Sequence, residues 1–112
     1  MLVLNRFVVP PDTDAFVERA HAALAALAMA PGYRSGRLAR AVEDPEAWTL
    51  VTEWESVGAY RRALGGFDVK VHATPLLALS VDEPSAYETL ASAAPGGQVE
   101  VTDSDRATEP WR

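Results

Sequence analysis

Apolar residues recur along this chain with two alternating periods, and the order of those periods predicts the fold. Leu2-Val-Leu-Asn-Arg-Phe-Val-Val9 is a β-branched and aliphatic run closed by Pro10-Pro11, which predicts a first strand. Asp12 or Thr13 can then cap a segment in which Phe16, Ala20, Ala23, Leu24 and Leu27 share one helical stripe. Pro31-Gly32 supplies the stop. Tyr33 to Val42 reads as a second strand, and Glu43-Asp-Pro-Glu46 as a turn into a third that ends at Trp54, so the two should form a hairpin.

Trp54 marks a joint. Trp48, Leu50, Thr52 and Trp54 alternate onto one face, and Ser56 offers an N-cap to a run whose Val57, Tyr60, Ala63, Leu64 and Phe67 are mostly at helical spacing. Gly65-Gly66 breaks that helix. A second short helical stretch follows from Phe67 to Ser80, with a restart expected at Thr74-Pro75, threonine as cap and proline at the first helical position. Ser85 to Ser92 supplies a last strand. The order is β-α-β-β-α-β, which predicts an α+β, ferredoxin-like fold with a four-stranded antiparallel sheet.

Such a sheet has helices on one face only. The first strand is nevertheless apolar on both parities, with Val3, Phe7 and Val9 on one side and Leu2, Leu4 and Val8 on the other. Its second face needs cover, and a two-fold partner is the simplest source, so a homodimer is expected. From Ala93 the composition changes to Ala-Pro-Gly-Gly and an acidic stretch. Residues 1–92 therefore read as the folded domain and 93–112 as a mobile tail, in which Val99 and Val101 could add a short strand to a neighbour.

Composition narrows the function classes. The chain has 112 residues, 48% hydrophobic and 23% charged, the balance of one globular domain. A net charge of −6 opposes nucleic acid or an anionic membrane as partner, and Arg61-Arg62 is too short a basic run to change that. The longest apolar stretch, Ala22 to Pro31, is mostly alanine and too short to span a bilayer. Met1 leads directly into strand-like sequence with no signal-peptide pattern, so the cytoplasm is the expected location. With no cysteine there are no thiolate nucleophiles, disulfides or cysteine-held clusters.

Phosphate loops, nucleophile elbows, zinc-protease motifs and dinucleotide fingerprints are all missing from the sequence. What remains is a scattered polar set. Asn5 interrupts an apolar strand face, where a carboxamide must find hydrogen bonds locally or face a cavity in which a ligand completes them. Trp54 and Tyr60 flank the third strand and its helix, and each is a core aromatic or a site wall. His72, among Val69, Val71 and Leu76, is a structural histidine, a base or a ligand. His21 lies off its apolar stripe and should be exposed.

The segments Asn5-Arg6-Phe7, Pro31-Gly32-Tyr33, Trp54-Glu55-Ser56, Ala59-Tyr60-Arg61-Arg62-Ala63-Leu64 and His72-Ala73-Thr74 together resemble the antibiotic biosynthesis monooxygenase family. The resemblance covers residues 1–90 and implies a dimeric α+β barrel. It also implies a small aromatic or polyketide-like substrate, of the anthrone type, oxidised by O2 without flavin, haem or metal. By that resemblance Asn5 and Trp54 line the quinone-forming site as hydrogen-bond donors to a developing oxyanion. Tyr60 matches a site tyrosine, and Tyr60 or His72 would relay the proton. Leu50 departs from the pattern, standing where the quinone-forming members have a second asparagine.

Two other readings follow from the same resemblance. A haem-degrading branch would use Asn5 to position substrate and His72 as axial ligand, but Arg62 replaces that branch's haem-distorting tryptophan. Alternatively, the chain is a non-catalytic, small-ligand-binding dimer that kept the fold and lost the chemistry.

Overall fold

The computed structural model describes residues 1–104. Its elements are β1 (Leu2–Val8), α1 (Asp14–Ala28), β2 (Tyr33–Arg40), β3 (Ala47–Trp54), α2 (Val57–Leu64), α3 (Phe67–His72), α4 (Thr74–Leu77) and β4 (Ala86–Tyr87). A separate hairpin, β5 (Ala91–Ser92) with β6 (Glu100–Val101), follows. The main sheet is antiparallel in the order β2-β3-β1-β4, the ferredoxin-like arrangement expected from the sequence. No helix among the described residues is long and apolar enough to cross a membrane.

Strand alternation decides which side chains meet. In the β1–β3 ladder Val3 faces Thr52, Asn5 faces Leu50 and Phe7 faces Trp48, so these six side chains share the inner, helix-covered face. α1 closes over them with Ala20 and Ala23, both 0% exposed, and with Leu27. The methyl side chains let the helix approach the sheet closely. Ala59 and Ala63 of α2, Val69 of α3 and Leu76 of α4 complete this core.

The connection from α1 into β2 is fixed by Gly32. Its φ of +89° is one that L side chains rarely adopt, and a Cβ there would lie 2.5 Å from the Ala59 Cβ. Its carbonyl accepts from the Glu55 N–H at 2.8 Å, which ties the start of β2 to the exit of β3. At that exit Ser56 caps α2 as expected, its hydroxyl accepting from the Ala59 N–H at 3.0 Å. Thr13 occupies the N-cap position of α1 but makes no side-chain cap bond, and Thr74 lies inside α4 with Ala73 as the unbonded cap. Proline does restart the chain at that point, within the first turn of α4.

The last strand is shorter than the expected Ser85–Ser92. Only Ala86 and Tyr87 pair regularly, with Val3 and Leu2. Before them the chain still follows β1, with the Val81 N–H donating to the Arg6 carbonyl and the Leu4 N–H to the Ser85 carbonyl, both at 2.7 Å. Pro84 interrupts the ladder because it has no N–H to contribute. Arg6 binds Glu83 through two hydrogen bonds of 2.6 Å and so straps this segment to the outer sheet face. After Tyr87 the chain turns into the β5–β6 hairpin, so Val101 pairs with Ala91 of its own chain. Residues 105–112 of the expected tail lie outside the described residues.

The outer face carries Leu2, Leu4 and Val51, each partly exposed, and Val8, 73% exposed. Helices leave it open, as the two-sided apolar pattern of β1 implied.

Candidate active site

Six aromatic side chains gather at the inner face in two groups of three. At the end where β3 meets α2, Trp54 is fully buried between Tyr33 and Tyr60, with each ring centroid 5.4 Å from the indole. Its backbone is held from the N-terminus: the Trp54 N–H donates to the Met1 carbonyl at 2.9 Å, and the Met1 ammonium donates back to the Trp54 carbonyl at 3.3 Å. Its indole N–H donates to Thr52 Oγ1 at 2.8 Å. That donor is occupied, so in this arrangement Trp54 forms a rigid wall and its N–H does not point at open space.

Tyr60 is half-buried, and its cleft of about 360 Å³ is lined further by Leu64, Thr74, Leu77 and Ala78. Burial pushes the Tyr60 phenol above its ordinary pKa, so the hydroxyl stays protonated throughout the neutral range. It can give a proton to a departing group far more readily than it can take one.

Asn5 is 8% exposed, and among the described residues no hydrogen bond reaches its carboxamide. The residue opposite it is Leu50, 1% exposed and unable to answer a polar group. Of the two outcomes open to Asn5, local satisfaction is absent and a free carboxamide on an apolar face is what the fold provides. Register also sets its distance from the two indoles. Trp48 lies two residues along β3 from the position facing Asn5, and Trp54 lies four away, roughly 7 and 14 Å along the strand.

Sequence reasoning passed over Trp48. Its Nε1 is the only buried side-chain nitrogen or oxygen among the described residues without a partner. Such a donor costs roughly 1–3 kcal/mol. Phe16 of α1 lies between Phe7 and Trp48 in edge-to-face contact, with centroids 5.2 and 5.4 Å away, and the Arg40 guanidinium sits 5.4 Å from the centre of the Trp48 ring. The available signal was position: Trp48 alternates onto the same face as Trp54.

The structure thus brings Trp54 and Tyr60 into contact and sets Asn5 on the same sheet face. His72 is not part of that group. It is exposed and borders a groove with Ala22, Ala25, Ala26, Met29 and Asp68 along the outside of α1, a lining that includes none of Asn5, Trp54 and Tyr60. His21 is exposed, as expected. Among the described residues no three His, Asp or Glu side chains converge on a point where a metal ion could sit.

The comparisons agree with this architecture. The sequence model of the family described as antibiotic biosynthesis monooxygenase matches residues 1–72, and the chain belongs to that family. Among solved structures it is similar to SnoaB, a cofactor-independent oxygenase from Streptomyces nogalater. That match has 30% identity and a TM-score of 0.63, and covers 80% of this chain and 94% of that one. A conserved protein from Methanosarcina mazei shares the fold at 20% identity, with a TM-score of 0.62 over 76% of this chain and 84% of that one. No curated protein sequence matches the chain. Membership of the family and the likeness to an oxygenase support a monooxygenase-type function.

Proposed function

We propose that the protein is a cofactor-independent monooxygenase that oxidises an anthrone-type aromatic molecule with O2 on the inner face of its sheet. The observation that carries this reading is the unpartnered Asn5 carboxamide on an otherwise apolar, aromatic-lined face, in a chain of this family. The chemistry suits a sparse site. Loss of a benzylic proton gives an enolate able to pass one electron to O2, and recombination of the radical pair forms a carbon-bound peroxide. Loss of water from the protonated peroxide leaves the ketone, so one CH2 and one O2 become C=O and H2O. Asn5 would donate to the enolate oxygen, and a preorganised donor of this kind contributes ~2–4 kcal/mol in a dry pocket. Trp54, fully buried, would fix the position of Tyr60, and Tyr60, kept protonated by burial, would supply the proton that the departing hydroxide needs.

The haem reading finds less support. It needs Asn5 and His72 to face one ligand, and His72 borders the far side of α1. We also propose, on the open outer face with Leu2, Leu4, Val8 and Val51, that the protein functions as a homodimer in the cytoplasm.

Oxygen uptake by metal-free and flavin-free protein with anthrone-type substrates tests the enzyme reading. Asn5→Ala should lower kcat by at least tenfold with little change in stability. Wild-type protein that consumes no oxygen across a panel of polycyclic phenols would leave a ligand-binding protein of the same fold.

A further inference from the structure

We propose that the indole N–H of Trp48 is a ligand-binding donor which, with the Asn5 carboxamide, takes an oxygen acceptor of an aromatic ligand entering beneath Phe16. The proposal rests on the reading that the inner face receives the aromatic substrate, and it names the group that recognises the substrate's oxygen.

Three observations converge. The Trp48 N–H is buried without a partner, whereas the Trp54 N–H on the same face is bonded to Thr52. A buried donor left open through folding is one that an incoming acceptor can satisfy at no loss of an existing protein bond. The second observation is spatial. Asn5 is the nearest unpartnered polar side chain by register, on the same face and one diagonal away, so a single oxygen-bearing ring can address both groups.

The third is the surroundings. Phe7, Phe16 and Trp48 meet edge to face, a contact that an aromatic ligand can replace ring for ring. Arg40 stands 5.4 Å from the Trp48 ring and takes no part in the Arg6–Glu83 ion pair, which leaves its guanidinium uncommitted. Its charge draws on the indole π-system, makes the N–H a better donor and favours an anionic oxygen nearby. The chemistry recognised is therefore a fused aromatic ring carrying a phenolate or a conjugated carbonyl oxygen. Phe16 is the side chain that must move, and it sits in the first turn of α1, where no side chain caps the helix.

The test uses the full chain, 1-naphthol and naphthalene, two probes that share a ring system and differ by one oxygen. In 15N-labelled protein the Trp48 indole resonance, assigned against Trp54→Phe and Trp111→Phe, should move downfield with 1-naphthol and stay in place with naphthalene. Trp48→Phe should weaken 1-naphthol binding about tenfold, the worth of one hydrogen bond, and change naphthalene binding less than twofold. An unmoved resonance, no binding of either probe, or an equal loss for both in the variant overturns the proposal. If Trp48→Phe does not fold, the wild-type resonance decides alone. Oxygen uptake separates the two readings: a naphthol-shifted resonance without turnover sinks the oxygenase and keeps the binding site, and turnover without the shift does the reverse.

Discussion

The two ends of the inner sheet face are built from the same residue types and held in opposite ways. At one end Trp54 has no exposed surface, an occupied N–H, a clamped backbone and a following helix capped by Ser56. At the other, Trp48 is only partly buried, its N–H is open, and the facing helix begins at Thr13 without a side-chain cap. Satisfied donors and caps fix geometry, whereas open donors leave a region able to respond to a ligand. The contrast divides one aromatic face into a wall and a recognition end.

The largest expected difference comes from truncating the indoles. Trp54→Ala should destabilise the fold by ~3–5 kcal/mol in urea unfolding, the usual cost of removing a large buried aromatic. Trp48→Ala should cost less than half as much, because part of the ring already meets solvent and its removal also removes an unsatisfied donor. Equal losses would mean that the two ends are packed alike. Asn5→Leu sharpens the contrast in the opposite sense: exchanging an unbonded carboxamide for an apolar side chain of similar volume should leave stability unchanged or raise it by about 1 kcal/mol, while oxygen uptake falls. A clear loss of stability would show that the carboxamide has a structural partner.

The caps come next. Ser56→Ala should cost about 1 kcal/mol, and Thr13→Ala no more than about 0.5 kcal/mol, since only the first removes a bond to a helix N–H. The smallest effect is confined to alkaline pH. Burial raises the Tyr60 pKa, so above about pH 10 an unfolded chain ionises this phenol before the folded one does, and stability falls until the folded phenol ionises too. Below that range Tyr60 contributes no pH dependence. Comparing urea midpoints at pH 9 and pH 11 should show an extra loss in wild type that Tyr60→Phe lacks.

What the sequence disclosed follows the reach of each interaction. The Trp54 joint was legible because strand alternation, Ser56 and the helical spacing behind it all lie within a dozen residues. The sheet order followed from the order of periods. The last strand was overestimated because nothing local in Ser85 to Ser92 records that the chain leaves β1 after Tyr87 and that Ala91 and Ser92 pair instead with β6. Thr13 and Thr74 have the right chemistry for caps, but geometry decides whether a hydroxyl turns back onto its helix, and neither does. The six residues of α3 were too few to establish which way His72 faces. Trp48 could be placed on the inner face from its parity alone. That its N–H has no partner depends on α1 and β1, which lie far from it in sequence, and no local pattern records that.

Ala20 and Ala23 carry a mechanical consequence. Because a methyl group has no rotamer to change, the middle of α1 cannot make room for anything by rearranging side chains, and it acts as a fulcrum against the sheet. Added volume beneath the helix must come from rigid tilting, which displaces the ends most. Phe16 lies about 8 Å along the axis from the middle of the alanine contact, so a tilt of roughly 7° would shift it by ~1 Å. The C-terminal arm of the same lever would move towards the sheet when the Phe16 arm lifts, and there Leu27 is already buried in the core, with 2% of its surface exposed.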